Sequence, residues 1–134
     1  MRLLFITESQ KFFDWLVNGL EDHECIHAKN IEEAAHEMGL SDFDAVFLDP
    51  DIHGEVIQSA ACARALTKAP LIILAGQAIR ADIAALCDGV LYREDMNHGR
   101  QLPDAVKTYA EKRRDAHPLD RTTELFNALS HMHA

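Results

Sequence analysis

Short apolar runs and longer periodic stretches alternate along this chain. Leu3 to Ile6 is a continuous apolar run containing Phe and Ile, which predicts a buried strand. It ends at Thr7-Glu8, and Ser9 is placed to cap a helix. Phe12, Phe13, Leu16, Val17 and Leu20 then recur at helical spacing and predict an amphipathic helix, with Gly19 near its end. Cys25-Ile26-His27-Ala28 reads as a short strand. Asn30 followed by Glu33 resembles a capping box. Ile31, Ala34, Ala35 and Met38 mark the buried face of a second helix, which is expected to stop at Gly39.

The stretch Phe43 to Gly54, FDAVFLDPDIHG, is the centre of the pattern. After Asp44, the run Ala45-Val46-Phe47-Leu48 suits a strand buried on both faces. Asp49 stops the run and Pro50 ends regular pairing. Asp51, Ile52, His53 and Gly54 read as a turn. A carboxylate at the carboxyl end of such a strand sits at the edge where open α/β sheets bind ligands. Asp also suits turns, so on this stretch alone the ligand and turn readings stand level.

The remainder repeats the alternation. Glu55 to Lys68 is Ala-rich, without Gly or Pro, and predicts a third helix. Pro70 opens a new segment, Leu71-Ile72-Ile73-Leu74 is a buried strand, and Ala75-Gly76 closes it. Ile79, Ile83 and Leu86 share one face of a fourth helix. Asp88-Gly89 makes a turn and Val90-Leu91-Tyr92 a fifth strand. Pro103 is placed as the first residue of a fifth helix, with Val106, Tyr109 and Ala110 inward. Lys112, Arg113 and Arg114 read as its solvated C-terminal end. Five strands alternating with helices imply a doubly wound parallel α/β sheet. Thr7-Glu8, Asp49, Ala75 and Arg93 then stand at strand ends along one edge.

After Ala116 the pattern changes. His117-Pro118 is a break, and Asp120 caps a sixth helix with Leu125, Phe126, Leu129 and Met132 on one face. The chain therefore divides into a domain over 1–116 and a C-terminal extension over 117–134. A short amphipathic helix needs a covering surface, and self-association into a homodimer through this helix is one expectation.

Bulk properties narrow the function. The length of 134 residues suits one core. A net charge of −9 argues against this domain gripping nucleic acid directly. No apolar run suits a membrane span, and the opening MRLLFITES lacks the features of a signal peptide, so a cytoplasmic protein is expected. Cys25, Cys62 and Cys87 form no CxxC pair and read as free buried thiols. Asp51-Ile52-His53 resembles the start of the DxHxxG motif of cobalamin domains, but the Gly it needs falls at Val56. No Gly-rich phosphate loop follows the first strand. His131 and His133 read as solvated, and Trp15 as partial core.

Residues 1 to 116 resemble the receiver domain of two-component response regulators. The resemblance rests on the (βα)5 order and on LDPDIHG, which is similar to the family's LDxxMPG. It implies a flavodoxin-like sheet of order 2-1-3-4-5, here with an extra C-terminal helix. It makes Asp49 the phosphoacceptor candidate, with Gly54 as the following glycine. It implies a Mg²⁺ site from Glu8, Asp49 and the backbone carbonyl of Asp51, with Thr7 replacing one acid of the usual pair; two carboxylates would hold the ion weakly. Arg93 takes the place of the family's lysine and is the candidate for contact with a phosphoryl group, and Glu94 stands where Pro is usual. The switch positions are altered at Ala75, which lacks the hydroxyl, and at Val90, which lacks the aromatic ring. Tyr92 is expected to face away from the Val90 side of its strand.

The resulting expectation is an atypical receiver, not an enzyme, acting mainly through protein contacts with weak or no phosphorylation. Its partner would be a histidine kinase or a downstream effector. The alternative is a working phosphoacceptor in which Asp49 takes phosphate from a histidine kinase, with Glu8 and Mg²⁺ assisting. Both readings require Glu8, Asp49 and Arg93 to converge at one rim of the sheet.

Overall fold

Every residue of the runs Ala45–Leu48 and Leu71–Ala75 is buried, as expected for strands covered on both faces. A computed structural model describes residues 1–51 and 56–115. The strands are β1 (Arg2–Ile6), β2 (Glu24–Ala28), β3 (Ala45–Leu48), β4 (Leu71–Ala75) and β5 (Gly89–Tyr92). The helices are α1 (Gln10–Val17), α2 (Ile31–Leu40), α3 (Val56–Leu66), α4 (Ala81–Leu86) and α5 (Leu102–Asp115). The strands are all parallel and lie in the order β2-β1-β3-β4-β5. The doubly wound, flavodoxin-like order is therefore the one expected.

Alternation along the strands divides the core into layers. Leu4, Ile6, Val46, Leu48 and Leu71 pack with Ala34 of α2 and Ala60, Ala61 and Ala63 of α3. Leu3, Phe5, Phe47, Ile72 and Leu74 face the other way and pack with Leu16 and Leu20, and with Leu102 and Val106 of α5. A third group, Ile73 and Ala75 with Ile83, seats α4.

The helix caps follow the local chemistry. The Ser9 hydroxyl accepts from the Phe12 N–H at 3.1 Å. Asn30 accepts from the Glu33 N–H at 2.9 Å, while the Glu33 carboxylate accepts from the N–H of Lys29 at 2.7 Å. The return bond of the box thus lands one residue before the cap.

Several boundaries differ from expectation. α2 runs through Gly39 to Leu40, with Ser41 as its C-cap, because Gly39 stays helical there and adopts no left-handed turn. α5 begins at Leu102, one residue before Pro103. Ile79 precedes α4, although it joins the same cluster as Ile83. Tyr92 lies two residues after Val90 and so shares its face; Leu91 is the residue that turns to the opposite layer.

Arg113 is the largest departure. It is 5% exposed instead of solvated. Its guanidinium donates to the carbonyls of Ala69 and, at 2.8 Å, Thr67, and lies 3.3 Å from Asp88 Oδ2. These carbonyls follow the end of α3, where backbone acceptors need partners, and a planar fork of donors can reach several at once. Ile52, His53, Gly54, Glu55 and the predicted sixth helix lie outside the described residues, as does the extension over 117–134. Among the described residues, no helix is long and apolar enough to cross a membrane.

Candidate functional site

The ladders that join β1 to β2 and β3 to β1 each continue one residue past the strand ends and fix the rim. The Thr7 N–H donates to the Ala28 carbonyl at 2.9 Å, and the Asp49 N–H to the Ile6 carbonyl at 2.9 Å. Thr7 and Asp49 are thereby held side by side at the carboxyl edge of the sheet. Thr7 is 1% exposed and Asp49 4%. A buried carboxylate needs hydrogen-bond donors and a counter-charge, and this one has both.

One oxygen, Oδ2, accepts from the Thr7 hydroxyl at 2.6 Å. The other, Oδ1, accepts from the Asp51 N–H at 2.9 Å and from the Arg93 guanidinium. Thr7 is oriented in turn by the Ser9 N–H, which donates to its Oγ1 at 3.1 Å. Thr7 thus supplies Asp49 with a hydroxyl donor from the adjacent strand end.

Arg93 crosses the edge of the sheet to make its contact. It starts just after β5. Its Nε donates to the Leu74 carbonyl of β4 at 3.2 Å, and its atoms pass 4.0 Å from where a Cβ on Gly76 would stand. Its guanidinium then reaches Asp49 on β3, with the Phe12 ring of α1 at 3.9 Å from its central carbon. The Asp51 carboxylate lies 3.9 Å from the same guanidinium but is mostly in solvent. Arg93 is a strap that spans from β5 to α1 over the acid.

Thr7, Asp49 and Arg93 therefore meet, and Asp51 joins through its backbone N–H, as a turn residue does. Glu8 follows Thr7 and is exposed. Ala75 is fully buried at the end of β4, pairs with Tyr92, and packs with Ile73 and Ile83. Val90 is half-buried against the same group. Those two positions form an apolar seat for α4.

The donor set does not fit a divalent cation. Both Asp49 oxygens are taken by protein donors, and one of them carries a full positive charge against the site. Among the described residues, no group of three or more His, Cys, Asp or Glu side chains is arranged to hold a metal ion. Hard cations need several oxygen ligands, and a neighbouring guanidinium repels them.

Two contributors were not visible in the sequence. Phe12 belongs to the helical stripe of α1, and nothing in its spacing says that its ring lies under Arg93. His27 bonds the Thr7 carbonyl through Nε2 at 2.7 Å and stacks on Phe13 with ring centres 4.7 Å apart. The carbonyl can only accept, so Nε2 carries the proton in this contact. The chain thus supports Thr7 from behind as well as from the side.

No family model and no curated protein matches the chain. Solved structures do. A two-component response regulator from Clostridium difficile superposes with a TM-score of 0.71 at 20% identity, over 87% of this chain and 99% of that one. A CheY-like receiver domain from Methylobacillus flagellatus gives 0.70 at 17% identity, over 81% and 98%. A response regulator from Burkholderia pseudomallei, solved with a phosphorylated aspartic acid, a calcium ion and citrate, gives 0.69 at 22% identity, over 89% and 74%. Together with the 2-1-3-4-5 parallel sheet, these likenesses show that the chain has the fold of CheY-like response-regulator receiver domains.

Proposed function

We propose that the chain is a receiver-type module of two-component signal transduction that acts mainly through protein contacts, with Asp49 held by its neighbours instead of phosphorylated. The observation that carries this reading is the saturation of the Asp49 carboxylate by Thr7, Arg93 and the Asp51 N–H at 4% exposure. Phosphoryl transfer needs the attacking oxygen to approach phosphorus in line, with the developing charge stabilised. Here the attacking oxygens are engaged and the Arg93 strap lies across the approach. Ala75 has no hydroxyl to bond an arriving phosphoryl group. A phosphorylated state would then gain few contacts over the unmodified one, and a switch requires such a difference.

In this reading the working surface is α4, β5 and α5, where Tyr92 is 37% exposed. The partner is a histidine kinase or a downstream effector, in the cytoplasm, and the module has no catalysis of its own. Residues 117–134 extend the domain and are proposed to mediate a homodimer. Sedimentation of the full chain against a version ending at Ala116 tests that point; equal monomers would remove it.

The second reading is a working phosphoacceptor. The position of Asp49 at the sheet edge favours it, as does the cation already beside it. Incubation with Mg²⁺ and acetyl phosphate, followed by intact mass, separates the two. The first reading expects no adduct. An adduct on the full chain that disappears in Asp49→Ala would establish the second.

A further inference from the structure

We propose that the Arg93 guanidinium serves as a built-in counter-ion at this site, so that Asp49 is compensated by the chain itself and a divalent cation is shut out while Arg93 is in place. The inference rests on the reading that Asp49 is held, and adds what holds it closed and against which ligand.

Four observations carry it. The Asp49 carboxylate, buried to 4% exposure, has its counter-charge in Arg93. Its other oxygen is taken by Thr7 at 2.6 Å, on the β1 side, where the receiver pattern would put an acid facing a cation. Arg93 is held in this pose by contacts that do not involve the acid: the Leu74 carbonyl at 3.2 Å and the Phe12 ring at 3.9 Å. The Asp51 carboxylate stands 3.9 Å from the same guanidinium and adds attraction for it.

The electrostatic consequence is direct. A divalent ion entering beside Asp49 must displace Arg93 from Oδ1 or sit against its positive charge. Displacing it gives up the charge-assisted bond to Asp49 and disturbs the seat on Phe12. A compact ammonium is strongly hydrated and retracts easily, whereas a guanidinium that is stacked on a ring does not. Phe12 is therefore a positioning residue: it keeps the strap over the acid. Without Arg93, the Asp49 Oδ1 is freed of its counter-charge and becomes an oxygen ligand of the kind a hard cation seeks.

The test is a titration of the isotopically labelled full chain with Mn²⁺, read by paramagnetic broadening of the Thr7, Asp49 and Asp51 amides, with Mg²⁺ as competitor. The wild-type chain is expected to show no saturable broadening at these amides across the millimolar range. Arg93→Met is expected to show it, at an affinity at least about tenfold above wild type. Arg93→Gln keeps a donor without the charge and is expected to open the site as well, which covers the case in which Arg93→Met folds poorly. Adding Asp49→Asn should abolish the gained binding. Arg93→Lys keeps the charge but gives up the guanidinium's seat on Phe12, and is expected to bind Mn²⁺ with an affinity between those of wild type and Arg93→Met. Saturable Mn²⁺ binding by the wild type, or none in either uncharged variant, would overturn the proposal. So would an Arg93→Lys site as open as Arg93→Met. The two readings fail separately: wild-type cation binding without a phosphate adduct ends this inference alone, while a wild-type adduct ends the reading beneath it.

Discussion

Arg93 and Asp49, 44 positions apart in sequence, form an ion pair that ties the end of β5 to the end of β3 over the carboxyl edge of the sheet. Asp49 is buried, and Arg93 is 27% exposed with its guanidinium against Phe12. Removing one partner of such a pair leaves the other charge poorly compensated, which costs more than the pair contributes as a whole. Arg93→Met is expected to destabilise by about 2 kcal/mol, the value for a buried pair reduced because Arg93 is partly solvated. The double variant with Asp49→Asn should recover part of that loss, with a coupling of about 1 kcal/mol or more. Urea unfolding of the four proteins measures it; additive effects would show that the contact carries no energy.

The Thr7 hydroxyl donates to Asp49 and accepts from Ser9, so its value lies in the oxygen and not in its volume. Thr7→Val keeps the shape and removes both bonds. The expected loss is about 2 kcal/mol, chiefly because the buried Asp49 carboxylate is left with one donor fewer. Thermal unfolding decides the matter: a Val variant as stable as wild type would mean that Thr7 is filling space.

Arg113 clamps the α3–β4 connection through the Thr67 and Ala69 carbonyls and pairs with Asp88, whose Oδ2 also accepts from the Leu71 N–H at 2.8 Å. Both ends of the pair are largely buried. Arg113→Leu is predicted to cost about 3 kcal/mol. Arg113→Lys should rescue only a small part, since one ammonium cannot reach carbonyls and carboxylate as a planar fork does. Full rescue by Lys in chemical denaturation would show that charge alone matters there.

Cys87 packs between the α3 and α4 layers, and burial pushes its thiol up to about 12, with the Asp88 charge adding to the rise and Arg64 opposing it. The ordinary value is 9.0, which the unfolded chain regains. The folded state therefore keeps a proton that the unfolded state releases. This contribution to stability is fully present below pH 9 and is lost as pH climbs from about 9 to about 12. Over that window the unfolding free energy should fall by about 1 kcal/mol per pH unit from this group. Cys25 is raised in the same direction by burial and adds to the trend. Cys87→Ala should flatten the slope; identical slopes in urea titrations of both proteins would exclude Cys87 as its source.

Much of this molecule is written locally. The continuous apolar runs of β3 and β4, the stripe of α1, and the Ser9 and Asn30 caps depend on neighbours a few residues away, and the sequence alone determined them. Their alternation also determined a parallel doubly wound sheet, which placed Thr7, Asp49 and Arg93 at one edge. Local chemistry could not say how those side chains would pair. Arg113 looked solvated because its neighbours in the chain are charged, yet it is buried by carbonyls between 44 and 46 positions away. Phe12 looked like one more apolar residue until the 2-1-3-4-5 order brought α1 beside the tip of a side chain from the far strand. Tertiary structure decided these partners because the crossovers, and not the sequence spacing, set which strand ends are adjacent. A charge settles on whichever carboxylate, ring or carbonyl that adjacency provides.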